Sequence, residues 1–121
     1  MSGSVRKINL EDVQKIELPN ASWSRMVLNQ DTLEANKTSM GYSIFTPGTE
    51  LSAVSHECEE LAIVISGKGE LKLEDTVVSC DAGDALFIPP ETWHAVVNSG
   101  EEDLIMVFTF AYPDYPPTER K

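Results

Sequence analysis

Three observations predict an all-β fold, a sandwich or barrel. Turn signals punctuate the chain densely: Pro47-Gly48, Ser66-Gly67-Lys68-Gly69, Asp81-Ala82-Gly83-Asp84, Pro89-Pro90-Glu91 and Asn98-Ser99-Gly100. Each offers a residue that tolerates positive φ or pre-sets a bend. The runs between them are short and either apolar or alternating, which is how strands of a sandwich or barrel read. The length of 121 residues fits one domain, and a core of that size needs no metal or disulfide to hold it.

Taken in order, the first forty residues read as an N-terminal extension (1–40) that contributes strands. Leu10–Lys15 reads as a helical turn or two, and Trp23–Leu28 as a strand. The barrel core is expected over 41–111, with strands at Tyr42–Thr46, Leu51–Ser55, Glu60–Ser66, Glu70–Glu74, Thr76–Ser79, Ala85–Ile88, His94–Asn98 and Leu104–Phe110. Leu71-Lys72-Leu73-Glu74 alternates with period two, as a half-buried strand does. Leu61–Ile65 is continuously apolar and β-branched, which suits a strand covered on both faces. The tail, 112–121, holds Pro113, Pro116 and Pro117, none of which can donate in a ladder, so it is expected to leave the sheet as a disordered or edge-covering tail. Tyr112 and Tyr115 within it are candidates for docking on a partner subunit.

The composition is globular, with 41% hydrophobic and 24% charged residues. The net charge is −11, and from Leu73 to Glu119 there is no Lys or Arg. That balance argues against a nucleic-acid partner, because phosphate binding needs a basic face. It argues equally against an anionic membrane surface. The start, Met1-Ser2-Gly3-Ser4-Val5-Arg6-Lys7, is polar and leads into no apolar run, so no signal peptide or membrane span is expected. The two cysteines, Cys58 and Cys80, make no disulfide framework, and a cytoplasmic location follows as the default.

The residues that carry chemistry are few. His56 and His94 are the only histidines, and Glu60 lies four residues beyond His56. Two imidazoles and one carboxylate can occupy one face of a divalent metal and leave its other positions open for substrate or dioxygen. A hydrogen-bonded structural role for each His is the alternative on residue type alone.

Here the chain resembles the cupin superfamily. The first cupin motif is a glycine, five residues, His-x-His, three or four residues, Glu, six residues and a glycine. It is matched by Gly48, then Val54-Ser55-His56, Glu60 and Gly67. The second is a glycine, five residues, Pro-x-Gly, two residues, His, three residues and Asn. It is matched by Gly83, Pro89-Pro90-Glu91, His94 and Asn98. The resemblance implies a single-domain double-stranded β-helix, the jelly-roll cupin barrel. It also implies a divalent metal (Fe, Mn, Ni, Cu or Zn) inside the barrel, held by His56, Glu60 and His94, and a homodimer.

Two positions depart from the pattern. Val54 stands where the first motif histidine belongs, so one of four usual ligands is missing. Glu91 stands where a motif glycine belongs, in a turn that Pro-Pro-Glu can still make. Cys58 is either a small filler or a soft replacement ligand. Glu57 and Glu59 are read as solvent-facing, and Cys80 as core. Trp93 should point away from the side His94 faces, since strand neighbours alternate. Phe87, Met106, Phe108 and Phe110 line a cavity or simply fill the core.

The resemblance implies a metal-dependent enzyme of dioxygenase, isomerase or lyase type acting on a small metabolite. Glu60 is then a catalytic candidate as well as a ligand. Arg25 is a candidate for holding an anionic group, and Tyr42 for donating a proton or stacking on substrate. The alternatives are a non-catalytic binding or sensing protein with a degenerate metal site, and a structural partner in a larger complex. The partner expected at the site is a small-molecule ligand.

Overall fold

The computed structural model describes residues 4–121. Residues 1–3, part of the polar start read above, lie outside the described residues. The chain runs through β1 (Ile16–Glu17), β2 (Trp23–Leu28), β3 (Ser39–Phe45), β4 (Val54–His56), β5 (Glu60–Ser66) and β6 (Lys68–Lys72). It continues through β7 (Val77–Asp81), β8 (Ala85–Ile88), β9 (Ala95–Val97), β10 (Leu104–Phe110) and β11 (Thr118–Arg120). One sheet has the order β1-β2-β3-β10-β5-β8. The facing layer is β7-β6-β9, extended by the pairings Glu50–Val97 and Val54–His94 to β4 and then β11. All pairings between strands are antiparallel. Two facing antiparallel layers that close on themselves make the double-stranded β-helix that the motif spacing implied.

The strands alternate as half-buried strands should. In β3 the inward set is Ser39, Gly41, Ser43 and Phe45, and in β5 it is Ala62 and Val64. The apolar core is formed by Phe45, Ala62, Val64, Cys80, Leu104 and Met106. Asn98, the last residue of the second motif, is buried there and binds three backbone groups. Its Nδ2 donates to the carbonyls of Phe45 and Glu102, each at 2.8 Å, and its Oδ1 accepts from the Gly100 amide at 2.9 Å. The motif asparagine is thus a turn clamp that ties the β9–β10 connection to β3.

The motif glycines mark left-handed backbone. Gly67 has φ +85°, and a Cβ there would collide with the Asp103 carbonyl. Glu91, at the fourth glycine position, has φ +59° all the same. A non-glycine residue in that region costs roughly 1–2 kcal/mol. The turn keeps its shape because the Glu91 amide donates to the His56 carbonyl at 2.7 Å.

Three expectations need correction. The Leu61–Ile65 run is covered on one face only: Leu61 and Ile65 are half exposed, at 53% and 51%. Its continuous apolar character reflects an open outer sheet face, where Phe87 pairs with Leu61 and is also exposed. The tail does not simply leave the sheet. After the last proline, Thr118, Glu119 and Arg120 regain free amides and pair with His56, Ser55 and Val54 as β11. Tyr115 packs on this chain's own His56 and Phe110, at ring-centroid distances of 5.6 and 5.5 Å.

Candidate metal centre

β4, β5 and the turn before β9 each deliver one polar side chain to the open end of the barrel. β4 turns His56 inward, β5 begins with Glu60, and the Pro89–Thr92 turn positions His94. Ligand atoms of these three residues lie within 4.8 Å of one another. Glu60 Oε1 is 3.4 Å from His56 Nε2 and 3.2 Å from His94 Nε2. The two imidazoles are 96% and 95% removed from solvent, as their relative exposures of 4% and 5% show.

The outer ring nitrogens fix the tautomers. His94 Nδ1 faces the Thr92 carbonyl at 2.8 Å, and a carbonyl only accepts, so this nitrogen carries the hydrogen. His56 Nδ1 faces the Thr118 hydroxyl at 2.7 Å. That hydroxyl gives its own hydrogen to the Pro116 carbonyl at 2.8 Å, so it accepts from His56. With Nδ1 holding the hydrogen, each ring in its neutral form aims an Nε2 lone pair at a buried carboxylate oxygen that has no hydrogen-bond partner among the described residues. Three electron-rich atoms facing one point need a cation between them.

The ionisation of these groups shows the same demand. Burial is the largest influence on Glu60 and pushes its carboxyl up. The contacts and charges of His56 and His94 outweigh it, and the carboxyl lies below its ordinary value. Burial likewise pushes His94 down, and it is outweighed by Glu60 together with the Thr92 carbonyl, so His94 lies above its ordinary value. A proton is the minimal cation the cluster accepts. The donor set, two imidazoles and one carboxylate with other positions open, fits a divalent transition metal.

The cluster opens into a cavity of about 430 Å³, lined mostly by apolar side chains that include Met26, Phe45, Leu71 and Ile88. Met106, Phe108 and Phe110 line it too, whereas Phe87 is on the outer face and is neither lining nor core. Phe108 has its place because its cross-strand partner is Gly41; any side chain there would meet the ring. Val54, at the lost histidine position, also lines the cavity.

The other sequence candidates fall elsewhere. Arg25 and Tyr42 are cross-strand partners outside the cavity lining, beside Trp23. Arg25 is buried, but its Nη1 donates to the carbonyls of Leu10 and Val13 at 3.0 and 2.7 Å. It clamps the N-terminal segment to the sheet. Cys58 is not in the ligand cluster. Its thiol is pushed up chiefly by burial, which makes it a poorer ligand at neutral pH. Trp93 is absent from the cavity lining and lies under the Lys121 ammonium, 4.8 Å from its ring centre. Glu57 and Glu59 are exposed, and Cys80 is buried, as expected. Thr118, Tyr115 and Arg120 are the site residues that spacing did not reveal. The only signal for Thr118 and Arg120 is a three-residue Thr-Glu-Arg segment after two prolines, too short to read as a strand, and Tyr115 reads in the sequence as a candidate for docking on a partner subunit instead.

Known proteins agree with this architecture. The 34%-identical match to "Polyketide synthase CurC" of Streptomyces cyaneus covers 80% of this chain and 65% of that protein. "Auxin-binding protein 1" of Arabidopsis thaliana is 27% identical, over 87% of this chain and 58% of that protein. The chain thus spans about three fifths of the length of these relatives. The solved structure of the polyketide cyclase RemF from Streptomyces resistomycificus superposes with a TM-score of 0.81. It covers 97% of this chain and 85% of that one at 18% identity, a likeness of fold alone. The family model described as the cupin domain matches residues 41–110, more than half of the chain, and the chain belongs to the cupin family.

Proposed function

We propose that this chain binds one divalent metal ion (Fe, Mn, Ni, Cu or Zn) through His56, Glu60 and His94, and that it acts there on a small, largely apolar metabolite. The observation that carries this reading is the buried Glu60 Oε1, which lacks a hydrogen-bond partner among the described residues and faces the Nε2 atoms of two imidazoles whose Nδ1 hydrogens are committed elsewhere. A bound ion would supply Lewis-acid polarisation of a substrate oxygen, the chemistry shared by oxygenase, isomerase and lyase cupins. The chain's own residues do the rest. Thr118 and the Thr92 carbonyl hold the imidazoles in the ligating tautomer. The apolar wall binds the substrate body and excludes water, and Val54 leaves a ligand position open where a histidine would close it. The names of the relatives, a polyketide synthase and a polyketide cyclase, suggest a polyketide-like substrate.

A second reading, a non-catalytic binding or sensing cupin, is favoured by one observation. Apart from the three ligands, the titratable residues lining the cavity are Tyr115 and Arg120 only. Elemental analysis and turnover of candidate aromatic substrates separate the two. A metal-loaded protein that binds such ligands without converting them is a sensor, and conversion lost in Glu60→Ala is an enzyme.

The exposed outer face bearing Leu61, Ile63, Ile65 and Phe87 supports a homodimer in which a second copy covers it. Free thiols at Cys58 and Cys80 suit a reducing, cytoplasmic setting. Among the described residues no helix is long and apolar enough to cross a membrane.

A further inference from the structure

β11 brings a charge to the cavity that the cupin motifs do not account for. In its register Thr118 is opposite His56 and Arg120 is opposite Val54, so both lie on one side of β11 while Glu119 lies on the other, and Arg120 lines the cavity. Val54 is in turn paired with His94 on its other side. His94, Val54 and Arg120 thus form one row across three strands, and all three line the cavity. Adjacent strands are about 4.8 Å apart, so the backbone of Arg120 lies ~10 Å from that of the ligand His94.

Among the described residues that line the cavity, Arg120 is the only Lys or Arg. Among the described residues it forms no ion pair, although the other basic side chains near acids, Arg25, Lys72 and Lys121, do so. Its guanidinium rests 5.9 Å from the centre of the Tyr115 ring, which in turn packs on His56. Stacking on an aromatic face orients the planar group and leaves its donors free. In a chain of charge −11, a free guanidinium at the mouth of an apolar cavity is the local feature that would admit an anion.

We propose that Arg120 is the specificity-determining residue of the cavity. It selects an apolar, aromatic-sized ligand that carries a carboxylate and seats that carboxylate over Val54, on the side where the fourth metal ligand has been lost. This inference rests on the cavity being the ligand site proposed above, but it does not require the metal. The tail then has two roles: it buttresses His56 through Thr118 and reads the ligand's charge through Arg120.

The test uses 2-naphthoate and its uncharged counterpart 2-naphthamide, titrated calorimetrically into chelated full-length protein, with metal content measured separately on protein as purified. The wild type is expected to prefer the carboxylate by roughly tenfold or more, the scale of a hydrogen bond to a charged group. In Arg120→Gln the preference should fall to under about threefold, the scale of residual long-range charge. Arg120→Lys should keep part of it. Melting temperature and metal retention should be unchanged in Arg120→Gln, because Arg120 touches none of the three ligands. Equal affinity for both probes, a preference that survives Arg120→Gln, or no binding of 2-naphthoate would each overturn the proposal. Absence of metal in the purified protein would overturn the metal centre alone.

Discussion

The hydroxyl of Thr118 lies 2.7 Å from His56 Nδ1 and passes its own hydrogen to the Pro116 carbonyl. A residue of the proline-rich tail therefore decides which nitrogen of a barrel histidine faces the site. Hydrogen-bond partners of this kind typically contribute 10- to 100-fold in metal affinity. Thr118→Val, which keeps the shape and removes the acceptor, is expected to weaken metal binding by about that factor in a chelator-competition titration. Thr118→Ser should restore most of it. Unchanged affinity in Thr118→Val would show that the tail does not orient His56.

Glu91 occupies left-handed backbone, φ +59°, at a position where the family motif has glycine. Glu91→Gly relieves that conformation, while a glycine loses more chain entropy on folding. The net expectation is a gain of about 1 kcal/mol, read as a rise of roughly 3–6 °C in melting temperature. Glu91→Val, β-branched and least tolerant of positive φ, should lose stability. If both variants melt like the wild type, the strain assigned to this turn is absent.

Protonation of the cluster makes a signed prediction for the chelated protein. Glu60 is held below its ordinary value of 4.5, so its stabilising ionised form is present above that pH and lost as the pH falls through the folded value. His94 is held above its ordinary value of 6.5, so its contribution is fully present below that pH and lost as the pH rises through the folded value. Both contributions coexist between those two values, and the melting temperature of chelated protein should peak there. Metal requires a neutral His94, so loading should move the maximum to higher pH. A chelated protein that only gains stability from pH 5 to pH 8 would contradict this account.

The outer face of β5 and β8 leaves Leu61 53%, Ile63 40%, Ile65 51% and Phe87 58% exposed. If a second copy covers it, light scattering will give a dimer for the wild type. The double variant Leu61→Glu, Phe87→Glu will then give a monomer with its metal content intact. A wild type that stays monomeric at high concentration removes the dimer from the account.

The barrel was legible because its signals are local. Turn residues and the short apolar runs between them placed β2, β5, β8 and β10 at their observed bounds, and the motif intervals placed His56, Glu60 and His94 together. What the sequence hid were contacts between distant segments. β11 is three residues long and pairs with β4 from the far end of the chain, so no periodicity announces it. Arg25 and Tyr42 looked like site residues by type. Their strands turn them to the face opposite Met26 and Ser43, however, and only the registers of β2 and β3 reveal which face is which. Leu61–Ile65 misled for the reverse reason: a continuous apolar run reads as buried on both faces, and here the chain covers only one of them.

The central claim is that three ligands suffice to hold a metal where the family motif has four. Its most direct measurement is the metal content of untagged protein, wild type beside Glu60→Ala, together with melting curves after chelation and re-addition of Fe, Mn, Ni, Cu and Zn. The wild type should hold close to one ion per chain. At an ion concentration about a hundredfold above Kd the re-added metal should stabilise by ~2.7 kcal/mol, a rise of roughly 10 °C for a domain of this size. Glu60→Ala should hold no ion and show no shift. A wild type that retains no metal and does not respond to any of the five ions, or a Glu60→Ala variant that retains metal as well as the wild type, would contradict the site.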